Sequence, residues 1–472
     1  MKRLLLAALA LLCLSASPAT ASTSGDDLTG LSSAEVAFTG SGGLALHGTV
    51  LLPEGATAPL PGMVLVHGSG TGVSRKKLMT EATAFAHQGL AVLIYDKRSQ
   101  GYSLTQRSYT ALADDAIGAV GALRAAKGVD PGKIGVWGLS EGGWVAPLAA
   151  TRSRDISFVV TVGGNAMEPL RQQTWAVAAG LRKAGVSGAL PDRSVSALYR
   201  LLAGTGQFPE PYYDAQATLG RVTQPVLGIW GADDLLTPPQ ETPGLLVKGL
   251  SHDRYTLRFF PGADHAAHLT PDGGVTRSPE LAPGYAEAVG SWVREVTSGS
   301  PPKAETVGTL PRQASFTAAV PPLAWWESGG VQLAALLLFL VAFVGYPLWL
   351  PARALLRRTG SRHAAAERGV VRGRAVRVLA ICAPVAVTGA LAFLMYSVIT
   401  GGKLAHPGPV LAGRPLIWLA LQALAVAAVV ATAFTFPAWR RAKGSERVRL
   451  GLLLAGGVAF VPWAFYWGLL LP

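Results

Sequence analysis

Cysteine is almost missing. The 472-residue chain has two, Cys13 and Cys382. Cys13 falls in a segment that reads as a cleaved leader, which leaves one thiol and no intrachain disulfide even in an oxidising compartment. Charge is also scarce: 15% of residues are charged and 50% are hydrophobic, a balance that excludes a disordered chain. Acidic residues are outnumbered 28 to 41, for a formal net charge of +13. The surplus is unevenly placed. Residues 22–325 hold 24 Lys/Arg against 25 Asp/Glu, whereas residues 326–472 hold 15 against 3. A nucleic-acid-binding surface needs a basic face on a soluble fold. Here the basic excess coincides with the most apolar part of the chain, so no nucleic-acid partner is expected. Metal patterns are lacking too. The 8 histidines are scattered and no His-Glu-x-x-His occurs, so neither a metal nor a cofactor is expected.

What is present begins with an address. Met1-Lys2-Arg3 is a short positive segment, residues 4–14 are apolar but too short to span a bilayer, and Ala19-Thr20-Ala21 offers the small residues of a cleavage site. Residues 1–21 are therefore read as a signal peptide. Four uncharged apolar runs close the chain, at 331–350, 378–399, 415–438 and 450–471. Each is long enough to cross a hydrocarbon core about 30 Å thick. Trp325, Trp326, Trp349, Trp418 and Trp439 lie near their ends, where amphipathic rings favour the headgroup region. The first connection carries Arg353, Arg357, Arg358, Arg362, Arg368, Arg372, Arg374 and Arg377. The third carries Arg440, Arg441, Lys443, Arg447 and Arg449, and the second only Lys403 and Arg414. Positive loops stay cytoplasmic. Both signals thus predict a multi-pass protein of the cell (inner) membrane with residues 22–325 extracytoplasmic. The spans contain no acid, base or histidine, which disfavours a transporter. They are read as an anchor in the lipid bilayer, and 325–472 as a membrane domain.

Between these ends, apolar β-type runs alternate with helical patterns. The expected strands are 35–39, 44–52, 63–66, 91–95, 133–137, 158–162, 226–230 and 255–260. The expected helices are 76–88, 110–127, 144–151, 239–250 and 281–296. Such alternation implies a mostly parallel sheet covered by helices on both faces, and such sheets carry their sites at the carboxyl ends of strands. The alternation lapses over about 165–221, too long for a structureless loop, so a helical insertion is expected there. Residues 298–324, rich in Ser, Gly, Pro and Thr, read as a linker. This bounds a soluble domain at 22–297.

The residues just after the strands carry chemistry. Gly138-Leu139-Ser140-Glu141-Gly142 stands between a strand and a helix, the context of a nucleophile elbow that lifts a serine hydroxyl above the sheet. His67-Gly68-Ser69-Gly70 ends another strand as a glycine-rich turn, with His67 expected to shape it. Asp233 and Asp234 come after the strand at 226–230, where a carboxylate can orient a histidine. His265 comes after the strand at 255–260 and completes the order Ser…Asp…His, with His268 as the alternative.

Taken in order, these four motifs make residues 35–297 resemble an α/β-hydrolase, specifically the bacterial serine esterases with a Gly-x-Ser-Glu-Gly-Gly elbow. That group includes carboxylesterases, dienelactone-hydrolase-like proteins and acyl thioester hydrolases. The resemblance implies an α/β-hydrolase fold with a helical lid insertion, here followed by four transmembrane helices. It implies Asp234 as the acid, because Gly-x-x-Asp-x-x-Thr-Pro matches the family's spacing, and oxyanion donors at Ser69 and Glu141. The stretch from Asp96 to Ser103 resembles the family's Asp-Lys-Arg-Gly-x-Gly-x-Ser, departing at Ser99 where the family has glycine, which predicts a different backbone there. The expected activity is cleavage of a small-molecule ester or thioester by Ser140, His265 and Asp234. The alternatives are a serine peptidase on the same fold and an inactive membrane sensor or binding protein.

Overall fold

The computed structural model describes residues 28–103, 105–300, 302–346, 373–401 and 407–472. The leader, the end of the first apolar run with most of its Arg-rich connection, and Lys403 lie outside the described residues.

A hairpin of β1 (Leu31–Thr39) and β2 (Ala45–Pro53) leads into β3 (Leu60–Val66), β4 (Ala91–Tyr95), β5 (Val129–Leu139), β6 (Val159–Val162), β7 (Val226–Gly231), β8 (Tyr255–Phe260) and β9 (Glu305–Val307). These form one sheet in the order β1-β2-β4-β3-β5-β6-β7-β8-β9. The β1–β2 and β2–β4 pairings are antiparallel and every other pairing in this sheet is parallel. Parallel strands need crossovers, and helices supply them on both faces. Helices α1 (Met79–His87) and α8 (Tyr285–Thr297) pack on Met63 and Leu65 of β3. Helices α2 (Tyr109–Arg124) and α3 (Gly142–Arg152) pack on Val64 and Val66, so alternate residues of one strand feed two cores. The expected strands are all present. β5 begins four residues before its predicted start, and β9 lies inside the segment read as a linker.

That segment is more than a linker. β9 pairs with β8, and farther on Thr317 donates its main-chain N–H to Glu241 (2.8 Å) while Trp175 Nε1 donates to Ser315 O (2.7 Å). Its polar composition reads as flexible, but its backbone groups find partners on the domain it leaves.

The insertion is helical, as expected: α4 (Pro169–Lys183), a π turn at Leu190–Ser194, α5 (Val195–Gly204) and α6 (Ala215–Leu219); α7 (Thr242–Gly249) follows β7. At the C-terminus, α9 (Gly329–Phe339) continues through a π turn at Leu340–Val344. The helices α10 (Arg374–Gly401), α11 (Leu416–Arg441) and α12 (Gly444–Tyr466) come next, and these three are long and apolar enough to cross a membrane. Small residues let them approach closely. A Cβ on Gly389 would fall 2.5 Å from Leu421, and one on Gly456 2.5 Å from Ala342.

The bundle is not a separate tether. Val177, Leu181, Leu190, Val195 and Leu198 of the insertion share one core with Phe393, Trp418, Phe460 and Trp467 of the helices. Main-chain bonds fasten the seam: Ser187 N–H to Gly413 O and Ala189 N–H to Pro472 O, both 2.8 Å. Ser194 Oγ donates to Trp467 O (2.8 Å), and Arg200 forks onto Glu327.

Candidate active site

The site is assembled at the carboxyl ends of β3, β5, β6, β7 and β8. Ser140 sits in the turn between β5 and α3 with φ +56°, a left-handed conformation that costs a non-glycine residue on the order of 1–3 kcal/mol. The turn exists because its neighbours lack side chains. A Cβ on Gly138 would run into Gly142 O, and one on Gly142 would fall 2.6 Å from Val66 O. The Ser140 N–H donates to Val162 O at the end of β6 (2.9 Å).

His265 arrives at the same strand end from the loop after β8. Gly163, at φ +52°, makes room for its ring: a Cβ there would lie 2.5 Å from His265 Nδ1. Ser140 and His265 thus flank the consecutive residues Val162 and Gly163. Nδ1 of His265 faces both Asp234 carboxylate oxygens, at 3.0 and 2.9 Å, and Nε2 is buried with no hydrogen-bond partner among the described residues. Asp234 Oδ1 also accepts the N–H groups of Leu236 and Thr237 (2.8 Å each), which fixes the carboxylate before the histidine meets it. The Asp234 and His265 side chains are 0% and 7% exposed.

The competing residues are occupied elsewhere. Asp233 is half-buried and makes no contact with His265 among the described hydrogen bonds. His268 uses Nδ1 on Ser278 O and Nε2 on Glu81, both at 3.1 Å. The buried Asp264 carboxylate accepts the N–H groups of Ala266 (2.8 Å) and His268 (3.1 Å), and so shapes the loop that presents His265.

His67, expected to shape its turn, is buried and bonded within the fold. Its Nε2–H donates to Tyr95 O (2.7 Å), and burial lowers its pKa to about 4. A histidine held neutral stabilises the fold fully above its unfolded pKa of about 6.5, and that contribution is lost as pH falls through about 4. Acidification across that window is expected to remove on the order of 3 kcal/mol. His67→Gln is expected to flatten the pH dependence of the thermal midpoint between pH 7 and 4. An unchanged slope would show that other groups dominate acid unfolding.

The oxyanion candidates bracket the serine. Gly68 packs against it, a Cβ there falling 3.3 Å from Ser140 Cβ, so the turn carrying Ser69 borders Ser140. Among the described residues, the N–H groups of Ser69 and Glu141 meet no internal acceptor.

Sequence reasoning did not foresee the Glu141 side chain. The carboxylate is buried, bound by Lys97 Nζ and the Tyr102 hydroxyl (2.8 Å) and paired with Arg107 Nε at 2.9 Å. The usable signal was the residue type, since a carboxylate directly behind a buried turn requires cationic partners. Next to Lys97, Arg98 forks onto Asp115 (2.6 and 2.8 Å) and Ser41 O, tying the loop to the β1–β2 hairpin. The departure at Ser99 does not disturb this stretch: Ser99 has no positive φ, and Gly101 takes the left-handed conformation instead (φ +71°).

Residues 63–283 match the family model described as the alpha/beta hydrolase family. A polyketide transferase, claH, of Penicillium crustosum is 34% identical over 125 residues, 26% of this chain and 41% of the relative. A thiohydrolase, aneE, of Aspergillus aculeatus is 32% identical over 132 residues, 27% of this chain and 40% of the relative. The chain therefore spans about two fifths of the curated relatives it matches. Among solved structures, a 2,6-dihydroxy-pseudo-oxynicotine hydrolase aligns at TM-score 0.42 and 15% identity, over 58% of this chain and 70% of the other. The dienelactone hydrolase of Anabaena variabilis aligns at TM-score 0.35 and 19% identity, over 58% and 100%. Strand order, Gly-x-Ser-x-Gly turn and matched segment agree: residues 63–283 have the α/β-hydrolase fold and are similar to the alpha/beta hydrolase family.

Proposed function

We propose that this protein is a membrane-anchored serine hydrolase that cleaves carboxylic esters or thioesters through an acyl-enzyme on Ser140. The observation that carries this reading is His265, whose Nδ1 faces Asp234 while its Nε2 stays buried and unpaired next to the strand end that holds Ser140. With Nδ1–H directed at the carboxylate, Nε2 is the proton acceptor. It takes the Ser140 proton as the oxygen attacks the carbonyl. The oxyanion forms against the N–H groups of Ser69 and Glu141. His265 returns the proton to the leaving alcohol or thiol, and water then repeats the cycle on the acyl-enzyme. The names of the two curated relatives, a thiohydrolase and a polyketide transferase, support an acyl group as the species handled.

The address is part of the proposal. The bundle ends that meet the insertion are the start of α9, the end of α10, the start of α11 and the residues after α12. These are the ends that the distribution of arginines assigns to the outside. Their contact with the hydrolase domain supports an extracytoplasmic site at the face of the cell membrane, with the lipid bilayer and a small-molecule ester as its partners.

Labelling by a fluorophosphonate probe tests the chemistry. The purified full chain is expected to be labelled and to hydrolyse nitrophenyl esters and acyl thioesters faster than aminoacyl amides, with both signals abolished in Ser140→Ala. Equal labelling of Ser140→Ala would overturn the assignment, and faster cleavage of amides would identify a peptidase.

A further inference from the structure

The two candidate oxyanion donors lie on different loops, and their separation has to be held to tenths of an ångström for both to reach one oxygen at 2.7–3.1 Å. Main-chain bonds tie the far end of the Ser69 loop to the next strand end, Gly72 N–H to Arg98 O (3.2 Å) and Lys97 N–H to Val73 O (2.9 Å). Ser69 is exposed, and Gly70 and Gly72 adopt φ +139° and +58°. Two side chains grip it on either side of Ser69. Lys97 Nζ donates to Gly68 O (2.6 Å), and the Tyr102 hydroxyl accepts the Gly70 N–H (3.3 Å). Both side chains then end on one carboxylate. Lys97 Nζ binds Glu141 Oε2, and the Tyr102 hydroxyl donates to Glu141 (2.8 Å to Oε2, 3.0 Å to Oε1). Glu141 is the residue whose own N–H is the second donor. Arg107 closes the cluster on Oε1 at 2.9 Å, and the Lys97 ammonium lies 4.2 Å from the Tyr102 ring centroid.

We propose that Lys97 and Tyr102 act as positioning residues that, through the Glu141 carboxylate, fix the distance between the Ser69 and Glu141 N–H groups. The inference rests on the acyl-transfer reading of Ser140. It gives the buried glutamate a role in this chain: the carboxylate is the shared end of two struts, one to each side of Ser69. Removing a strut leaves nucleophile, base and acid in place but lets the Ser69 N–H drift. Deleting a donor outright costs about 10²–10³ in turnover, so a donor that is only loosened is expected to cost about 10–100-fold.

The test uses the full chain in detergent, with active sites titrated by the fluorophosphonate. Tyr102→Phe is expected to lower kcat about 10–100-fold with KM within about twofold. Its affinity for a trifluoromethyl ketone, which forms a tetrahedral oxyanion on Ser140, is expected to fall by a similar factor. A purely structural role would lower the thermal midpoint and the titratable fraction but leave kcat per titrated site and ketone affinity unchanged. Glu141→Gln, which keeps the shape of the group, is the second variant. If the struts share one end, Tyr102→Phe with Glu141→Gln loses less than the product of the two single effects. Wild-type kcat and ketone affinity in either variant, or a fully multiplicative loss, overturns the struts. A wild-type chain that neither labels nor hydrolyses overturns the acyl-transfer reading instead, so the two failures are distinguishable.

Discussion

Asp234→Asn is expected to lower turnover about 10⁴-fold and leave the protein folded. The local hydrogen bonds decide how the amide would sit. Oδ1 of Asp234 accepts two main-chain N–H groups, from Leu236 and Thr237 at 2.8 Å each. An asparagine keeps both only by placing its oxygen there, which puts its NH₂ group where Oδ2 stands, 2.9 Å from His265 Nδ1. A donor at that position competes with the oxygen 3.0 Å away and favours the tautomer in which Nδ1 accepts. The ring proton then sits on Nε2, the nitrogen that has to take the proton from Ser140. The substitution therefore inverts the tautomer without opening a cavity or breaking the turn. Asp233→Asn, one residue away, is the matched control and is expected to keep activity within about twofold of wild type, in line with ordinary surface changes. Steady-state hydrolysis of a nitrophenyl ester by both variants, with circular dichroism to confirm folding, measures the difference. A ten-fold loss or less in Asp234→Asn would remove Asp234 from the mechanism.

Much of this site was legible because strand ends are legible. Val64, Val136, Val160 and Ile229 lie in short β-rich runs, and the loop after each run is forced to the same rim of a parallel sheet. That is why Ser69, Ser140, Asp234 and His265, spread over nearly 200 residues, could be named from the sequence. Choices between neighbours were harder. Position after the strand left Asp233 and Asp234 both open, the family's spacing favoured Asp234, and Asp234 is the one that faces His265. His268 differs from His265 by its contact with Glu81, 187 residues away, which no local pattern signals. Glu141 shows the same limit, since its partners Lys97, Tyr102 and Arg107 come from a loop on the far side of β3. The largest gap was the insertion. It reads from sequence as a lid, but its apolar face in α4 and α5 packs against another element, which periodicity cannot name.

That element is the helical bundle, and the consequence is testable by deletion. Read from sequence alone, the spans are an anchor, and removing residues 326–472 leaves a soluble, active hydrolase. The shared core predicts the opposite. Val177, Leu181, Leu190, Val195, Leu198 and Tyr199 are each no more than 4% exposed, in one cluster with the bundle. Each such side chain is stabilised by about 1.5–3 kcal/mol when buried. Exposing even part of that surface competes with the whole stability of an ordinary domain, about 5–15 kcal/mol. The deletion also strips the acceptors at Gly413, Trp467 and Pro472 from the insertion, and Glu327 from Arg200. The truncated chain is expected to aggregate, or in detergent to retain less than about a tenth of the fluorophosphonate labelling of the full chain. Cutting the chain without removing anything separates the effect of contact from that of connection. A protease site introduced at the exposed residues Thr309 and Leu310 is expected to yield two fragments that copurify in detergent with activity preserved, because the seam and not the peptide bond holds them together. A soluble, monomeric truncation with full activity would return the bundle to the role of a tether.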